Sequence, residues 1–388
     1  MMHAYRQLAW IGLMLLHVGC GASMSNPASS AFTQSKVRVT TAVLDTYVGT
    51  YRLASGAQFP VVRDGDRLLA GTPPRELHAQ TTREFRSNHL PGEFHFERAG
   101  TASTVTLCWR LAQRDHVCQP VNTATSTDPT QQVDAGGHRL RMLVSGTGSP
   151  TIVLEDGIGN GIDLQADLQA ELMKRSTVVT YDHAGTGGSE SGPLPRDATQ
   201  IARELRLALQ DAGQKPPFLL MGSSIGADYI RVFAHQFPTD TAGLILLDPT
   251  PEWERMFAWA ELHAPARIET YRQLVEETGA MMEVLMSVQE PGREAEWAAM
   301  DMTRAAARRA LPLSGIPIVQ ITGAAGRQTS AISADKIRFF DEWLRQCLPQ
   351  AKHVLALHSG HAVAITDRSL VLEEVSRMLT EVRQKQVD

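Results

Sequence analysis

Phe218-Leu-Leu-Met221 runs directly into Gly222-Ser223-Ser224-Ile225-Gly226, and a helical pattern from Ile225 to Phe237 follows. A short strand that is apolar at every position is buried on both faces, which is the signature of a parallel sheet. The five residues after it form G-x-S-x-G in the strand-to-helix setting that a catalytic serine requires. On so sharp a turn a side chain two residues to either side of Ser224 meets neighbouring backbone, so both flanks are glycine. The helix beyond offers its positive end and unpaired N–H groups to a developing oxyanion. A bare five-residue match is also met in ordinary Gly/Ser turns, so the partners elsewhere in the chain decide the reading.

The surroundings repeat the same rhythm. From about Gln131, apolar strands at Ile152–Leu154, Val178–Tyr181, Leu244–Leu247, Ile316–Ile321 and Val354–Leu357 alternate with amphipathic helices at Leu164–Met173 and Thr199–Leu209. Alternating strand and helix predicts an α/β domain around a parallel sheet.

A serine hydroxyl needs a base to take its proton. After the last apolar strand stands Leu357-His358-Ser359-Gly360-His361, and His361, in the loop beyond the strand, is the expected base, with His358 as the alternative. The third member must orient the imidazole. Asp248 closes Leu246-Leu247-Asp248-Pro249 at the carboxyl edge of a strand, where catalytic groups collect. The loop after Ile316–Ile321 carries no carboxylate until Asp335, which an ordinary helix start also explains. Asp248 is the preferred acid and Asp335 the alternative. For the oxyanion hole, Asp156-Gly157-Ile158-Gly159-Asn160-Gly161 follows the Ile152–Leu154 strand, and the Ile158 and Ile225 backbone N–H groups are assigned as donors.

Residues from about 131 to 385 resemble the α/β-hydrolase fold, and Tyr181-Asp-His-Ala-Gly185-Thr-Gly187-Gly-Ser189 is similar to the Y-D-R-A-G-x-G-x-S loop of one branch, with His183 in place of the arginine. Asp156 stands where relatives often have histidine, and Ser223 replaces the histidine often found before the nucleophile. The resemblance implies a mostly parallel doubly wound sheet and hydrolase chemistry. It leaves the substrate open.

Between Pro249 and Ser314, Trp253, Met256, Phe257, Trp259, Leu274, Met281, Met282, Leu285, Met286 and Trp297 fall mostly at helical spacing. They predict a helical cap over residues 249–315 whose apolar side chains pack the core, some of them lining an acyl pocket.

Upstream, Thr46–Leu53, Phe59–Val62, Glu93–Phe96 and Ser103–Leu107 are short β-branched and aromatic runs, with Asp64-Gly65, Pro91-Gly92 and Ala99-Gly100 as turns. They predict a small antiparallel β domain over residues 37–122. From Leu44 through Trp109 it resembles the lipocalin-like modules appended to some bacterial serine hydrolases. Thr123–Thr130 is a linker to a hydrolase domain over residues 131–388.

At the start, Arg6 precedes the apolar run Leu8–Leu16, too short to span a bilayer, and His17-Val-Gly-Cys20 resembles a bacterial lipobox with His17 in the leucine position. Residues 1–20 thus read as a signal peptide, Cys20 as a lipidated anchor, 21–36 as a tether, and the protein as exported to the periplasm or cell envelope. In an oxidising compartment Cys108 and Cys118 lie close enough in sequence for neighbouring strands to bring together, whereas Cys347 shares a helix pattern with Ile337, Phe340 and Leu344 and reads as a buried free thiol.

The chain of 388 residues carries 37 Lys plus Arg against 42 Asp plus Glu, for a net charge of −5, without a basic run. That excludes nucleic acid as the main partner. No Cys-x-x-Cys pair suggests zinc, and no cofactor motif is expected. The expected function is an exported serine hydrolase acting on a small acyl compound, probed against two alternatives. One is a catalytically silent binding protein of the same fold. The other is a nucleotide-binding oxidoreductase using Gly157, Gly159, Gly161 and Asp182, whose third glycine stands one position too early for G-x-G-x-x-G.

Overall fold

The computed structural model describes residues 37–52, 58–71, 74–87, 93–98, 105–111, 114–120, 129–158, 161–162, 165–272, 291–325 and 331–385. The expected signal peptide, Cys20 and the tether lie outside them, as do most of the linker and Leu274, Met281, Met282, Leu285 and Met286 of the cap.

Eight strands in sequence order close into an antiparallel barrel: β1 (Gly49–Arg52), β2 (Gln58–Asp64), β3 (Arg67–Ala70), β4 (Arg75–Ala79), β5 (Glu84–Arg86), β6 (Glu93–Arg98), β7 (Val105–Leu111) and β8 (Arg114–Pro120). Tyr51 and Arg52 of β1 pair with Pro120 and Gln119 of β8, and this closure leaves no open sheet edge. The two-residue alternation sends Phe94 and Phe96 of β6, and Val105, Leu107 and Trp109 of β7, to the interior. There Tyr47 stacks on Phe96 at 4.4 Å between centroids and Phe94 on Trp109 at 5.6 Å. The run Thr46–Leu53 enters its strand only at Gly49, because helix α1 (Thr41–Asp45) precedes it and the Thr46 hydroxyl donates to the Val43 carbonyl at 2.7 Å. β7 and β8 are neighbours, but their register sets Leu107 opposite Cys118 and Cys108 opposite Val117. Cys108 and Cys118 therefore stand on opposite faces of the wall, and no disulfide joins them.

The second sheet has eight strands: β9 (Thr130–Asp134), β10 (Arg139–Ser145), β11 (Ile152–Glu155), β12 (Val178–Tyr181), β13 (Phe218–Ser223), β14 (Thr241–Leu247), β15 (Ile318–Gly323) and β16 (Lys352–Ala356). Their spatial order is β16-β15-β14-β13-β11-β12-β10-β9. β10 is antiparallel to β9 and β12, and the pairs from β12 to β16 are parallel. Alternate residues serve two cores. Leu244 and Leu246 pack with α3 (Ala198–Asp211), α4 (Gly226–Gln236) and α8 (Ala331–Cys347). Ile245 and Leu247 pack with α2 (Ala166–Leu172), α9 (Val363–Thr366) and α10 (Arg368–Lys385) on the opposite face. Burial on both faces explains why these strands are apolar at every position. Cys347 ends α8 half-buried rather than buried, with the Arg255 guanidinium 3.7 Å from its sulfur.

Between β14 and β15 the chain leaves the sheet for α5 (Trp253–His263), α6 (Pro291–Ala298) and α7 (Met300–Arg309). Met256 and Trp259 of α5 are buried against the main core, and Trp259 meets Phe339 of α8 edge-on. These two side chains thus pack the cap onto the sheet.

Candidate active site

Ser224 stands just beyond β13 with φ of 57°, in the left-handed region that a serine enters only under constraint. The glycines around it are enforced by contact. A Cβ on Gly222 would lie 2.5 Å from the Gly226 carbonyl oxygen, and one on Gly226 would lie 2.6 Å from the Glu155 carbonyl oxygen and 2.7 Å from that of Asp156. The serine turn and the loop after β11 are thereby pressed together, and a Cβ on Gly157 would sit 3.3 Å from that of Ser224. The Gly157 N–H donates to the Asp156 carboxylate at 2.8 Å, which leaves Ile158 as the next amide of that loop. Ile225 is the residue before the first turn of α4, and its amide belongs to the unpaired N–H groups of a helix start.

Asp248 ends β14 with φ of 40°, the other non-glycine residue in the left-handed region among those described. Its Oδ2 accepts from Nδ1 of His361 at 2.8 Å. The carboxylate is buried, and its remaining acceptor positions are filled by the Gly323 N–H at 2.8 Å and by Nζ of Lys336, 2.7 Å from each oxygen. Burial pushes this acid up, but the Lys336 charge and the His361 hydrogen bond outweigh it and hold it down at about 2. His361 is one-fifth exposed, whereas His358 points into solvent three residues away. Asp335 is engaged elsewhere. It accepts from Arg267 at 2.7 Å, from the Tyr271 hydroxyl at 3.1 Å and from Arg338 at 2.5 Å, so it ties the cap to the start of α8.

The Ser224 hydroxyl shares a hydrogen bond with Thr250 Oγ1 at 3.0 Å rather than with His361. Hydroxyl–imidazole contacts of this kind commonly tighten only when substrate binds. Thr250, two residues beyond Asp248, was not singled out by sequence reasoning, nor was Lys336. Proximity to Asp248 could have flagged the first, while nothing in the sequence shows that the second turns inward. The Thr250 carbonyl is held at 3.0 Å by Arg304 of the cap, which also pairs with Asp228 of α4. A narrow crevice beside Thr250 is walled by Leu246, Pro249, Phe340 and Trp343 together with the charged Arg231 and Arg304. It has room for about one water, so it is not itself an acyl pocket.

His183 departs from the surface role that a loop histidine usually has. Buried, it bridges Glu155 at the end of β11 (Nε2 to Oε1, 2.6 Å) and Glu296 of cap helix α6 (Nδ1 to Oε1, 2.9 Å). The Tyr181 hydroxyl donates to Glu155 and that of Tyr229 to Glu296. Burial alone would lower the His183 pKa, but the two carboxylates outweigh it and raise it well above the ordinary histidine value. The imidazolium thus clasps the cap to β11, the strand that leads into the loop carrying Gly157. Close by, the Gly292 N–H donates to the Gly185 carbonyl at 3.0 Å, at a contact where a Cβ on Gly292 would lie 2.2 Å from the Ala184 oxygen.

Asp182, the acid that a nucleotide reading would use, is buried and spent on structure. It accepts from the Ile162 N–H at 3.1 Å, the Gly188 N–H at 2.9 Å and Arg141 at 3.1 Å, so it knots the loop of residues 182–188. Among the described residues no cluster of His, Cys, Asp and Glu could hold a metal ion, and no helix is long and apolar enough to cross a membrane.

Comparison with known proteins bears on the fold. Residues 150–280 match the family described as alpha/beta hydrolase fold. The chain is 36% identical over 104 residues to the uncharacterized protein YqjL of Bacillus subtilis (strain 168), covering 27% of this chain and 41% of that one. It is also 36% identical over 125 residues to "Putative carbamate hydrolase RutD" of Klebsiella pneumoniae (strain 342), covering 30% and 46%. Each match therefore spans less than half the length of the relative. Among solved structures, the enol-lactonase from Burkholderia xenovorans LB400 aligns with a TM-score of 0.46 at 20% identity, over 65% of this chain and all of that one. The chain has the α/β-hydrolase fold, with an antiparallel β structure before it.

Proposed function

We propose that the protein is a serine hydrolase cleaving a carboxylic ester or a related small acyl compound. The observation that supports this most is the hydrogen bond from His361 to the buried, ionised Asp248, at the same sheet edge as a serine held on a strained turn. In this reading Ser224 attacks the substrate carbonyl while His361 takes its proton. Asp248 keeps the imidazole in the tautomer with Nε2 free and stabilises the cation that forms. The Ile158 and Ile225 N–H groups receive the oxyanion. Collapse expels the alcohol, which takes its proton from His361 and leaves an acyl group on Ser224. Water, deprotonated by His361, then attacks that ester, and as the acid departs His361 returns the proton to the Ser224 oxygen.

The catalytically silent alternative drew its support from the absence of a carboxylate in the loop after β15. The engagement of His361 by Asp248 from β14 removes that support. We further propose, from Arg6, Leu8–Leu16 and the Cys20 motif, that the enzyme is exported and lipid-anchored, with the barrel between anchor and catalytic domain. The full chain is expected to hydrolyse a short-chain aryl ester such as p-nitrophenyl acetate. A panel of aryl esters of increasing chain length, lactones and carbamates ranks substrates, the last included because of the name RutD carries. No turnover above the blank for any of them would contradict the assignment.

A further inference from the structure

Lys336 is almost completely buried, at 1% exposure, with its ammonium 2.7 Å from both oxygens of Asp248. Burying a lysine is costly unless its charge is met, and a well-packed apolar side chain would fill the same space at no such cost. The pair also lies where charge matters most to the proposed reaction, since His361 draws on the same carboxylate. We propose that Lys336 is a positioning residue of the hydrolase. It fixes the Asp248 carboxylate by bridging both of its oxygens and offsets part of its charge, so that His361 remains free to accept a proton at lower pH. This inference rests on the serine-hydrolase reading.

The geometry supports both halves of the role. Oδ1 accepts from Lys336 and Gly323, and Oδ2 from Lys336 and His361. With four hydrogen bonds from three groups in place the carboxylate cannot rotate away from the imidazole. The charged and titratable groups that face Asp248 are Lys336 from α8 and His361 from the loop after β16, while Gly323 of β15 adds only a neutral N–H. Asp335, adjacent in sequence, is turned to Arg267, Tyr271 and Arg338 and does not face the pair. An uncompensated carboxylate beside His361 would hold a proton on the imidazole more firmly, and a protonated imidazole cannot act as base. Lys336 moderates that hold while keeping Asp248 ionised.

The test compares wild type with Lys336→Met, which keeps the length of the stem and removes the charge, and with Lys336→Gln, which keeps a donor without the charge. kcat/KM for p-nitrophenyl acetate is measured across pH, corrected for the blank. The acid limb is expected to move up by about one pH unit in both variants, and kcat on the plateau to fall by about tenfold in Lys336→Met and less in Lys336→Gln. Asp335→Asn, which loosens the cap contact alone, is expected to leave the acid limb in place. An unmoved acid limb in both lysine variants, or failure of both to fold although Asp248 keeps two donors, would overturn the proposal. Ser224→Ala, assayed alongside, separates the two levels of the account. If it abolishes turnover while the limb stays fixed in the lysine variants, the positioning role fails and the hydrolase reading stands. If it leaves turnover intact, the hydrolase reading fails and this inference falls with it.

Discussion

Replacing Ser224 by alanine is expected to lower turnover of an active aryl ester by about 10⁴-fold or more, since removing a triad nucleophile leaves only binding and oxyanion stabilisation. The substitution is clean because it spares the turn. Alanine meets the same left-handed strain at φ of 57° that serine meets, and the Cβ that packs beside Gly157 is kept. The hydroxyl lost has one hydrogen bond, to Thr250, at the edge of the fold's interior. Stability should therefore change by less than about 1 kcal/mol, and thermal melting of the two proteins should nearly coincide. Equal turnover in wild type and Ser224→Ala would show that some other group carries the reaction.

Replacing His183 by alanine is expected to destabilise the protein by about 3–5 kcal/mol, the usual cost of removing one partner from a buried ionic network. The imidazolium is the cation between Glu155 and Glu296, so its loss leaves two buried carboxylates facing one another across the space it filled. Glu296 belongs to cap helix α6 and Glu155 to β11 of the central sheet, so the cap should loosen first. Urea unfolding checks the magnitude, and protease cleavage within the cap checks where it falls. The pH dependence has a definite sign. His183 has a folded pKa raised well above the ordinary 6.5, so its contribution is fully present below that value and is lost as pH rises through the folded pKa. The stability gap between wild type and variant should thus hold from acid to neutral pH and close only on the alkaline side. A gap that is already small at pH 6 would contradict the clasp.

The sequence carried the α/β core because that core obeys local rules. Val178–Tyr181 is a strand with the bounds its apolar run predicts, and α3 falls within two residues of its amphipathic pattern. The glycines flanking Ser224 were readable for the same reason, since the clashes that enforce them arise within one turn and its neighbour. The barrel was read as β from four runs, yet β3, β4, β5 and β8 escaped. Arg67–Ala70 and Glu84–Arg86 are too short to show alternation, and Arg114–Pro120 is mostly polar in sequence, without an apolar alternation to mark it. Pairwise chemistry across the fold was hidden altogether. The choice between Asp248 and Asp335 turns on which way each carboxylate points, and Asp335 points to Arg267, 68 residues away in the chain. His183 showed in sequence only as a replacement for arginine, and only the fold brings Glu296 to it from 113 residues downstream. Lys336 has no sequence signature at all, because a buried lysine is spelled like an exposed one.

Incubation of the full chain with a fluorophosphonate, followed by intact-mass and peptide mass spectrometry, tests the central claim most directly. A serine activated by His361 and Asp248 should gain a single phosphonyl group, mapped to Ser224, and the label should be absent from Ser224→Ala and strongly reduced in His361→Ala. Labelling at another residue, or an unlabelled wild type under conditions that label a known serine esterase, would contradict the assignment of Ser224 as an activated nucleophile.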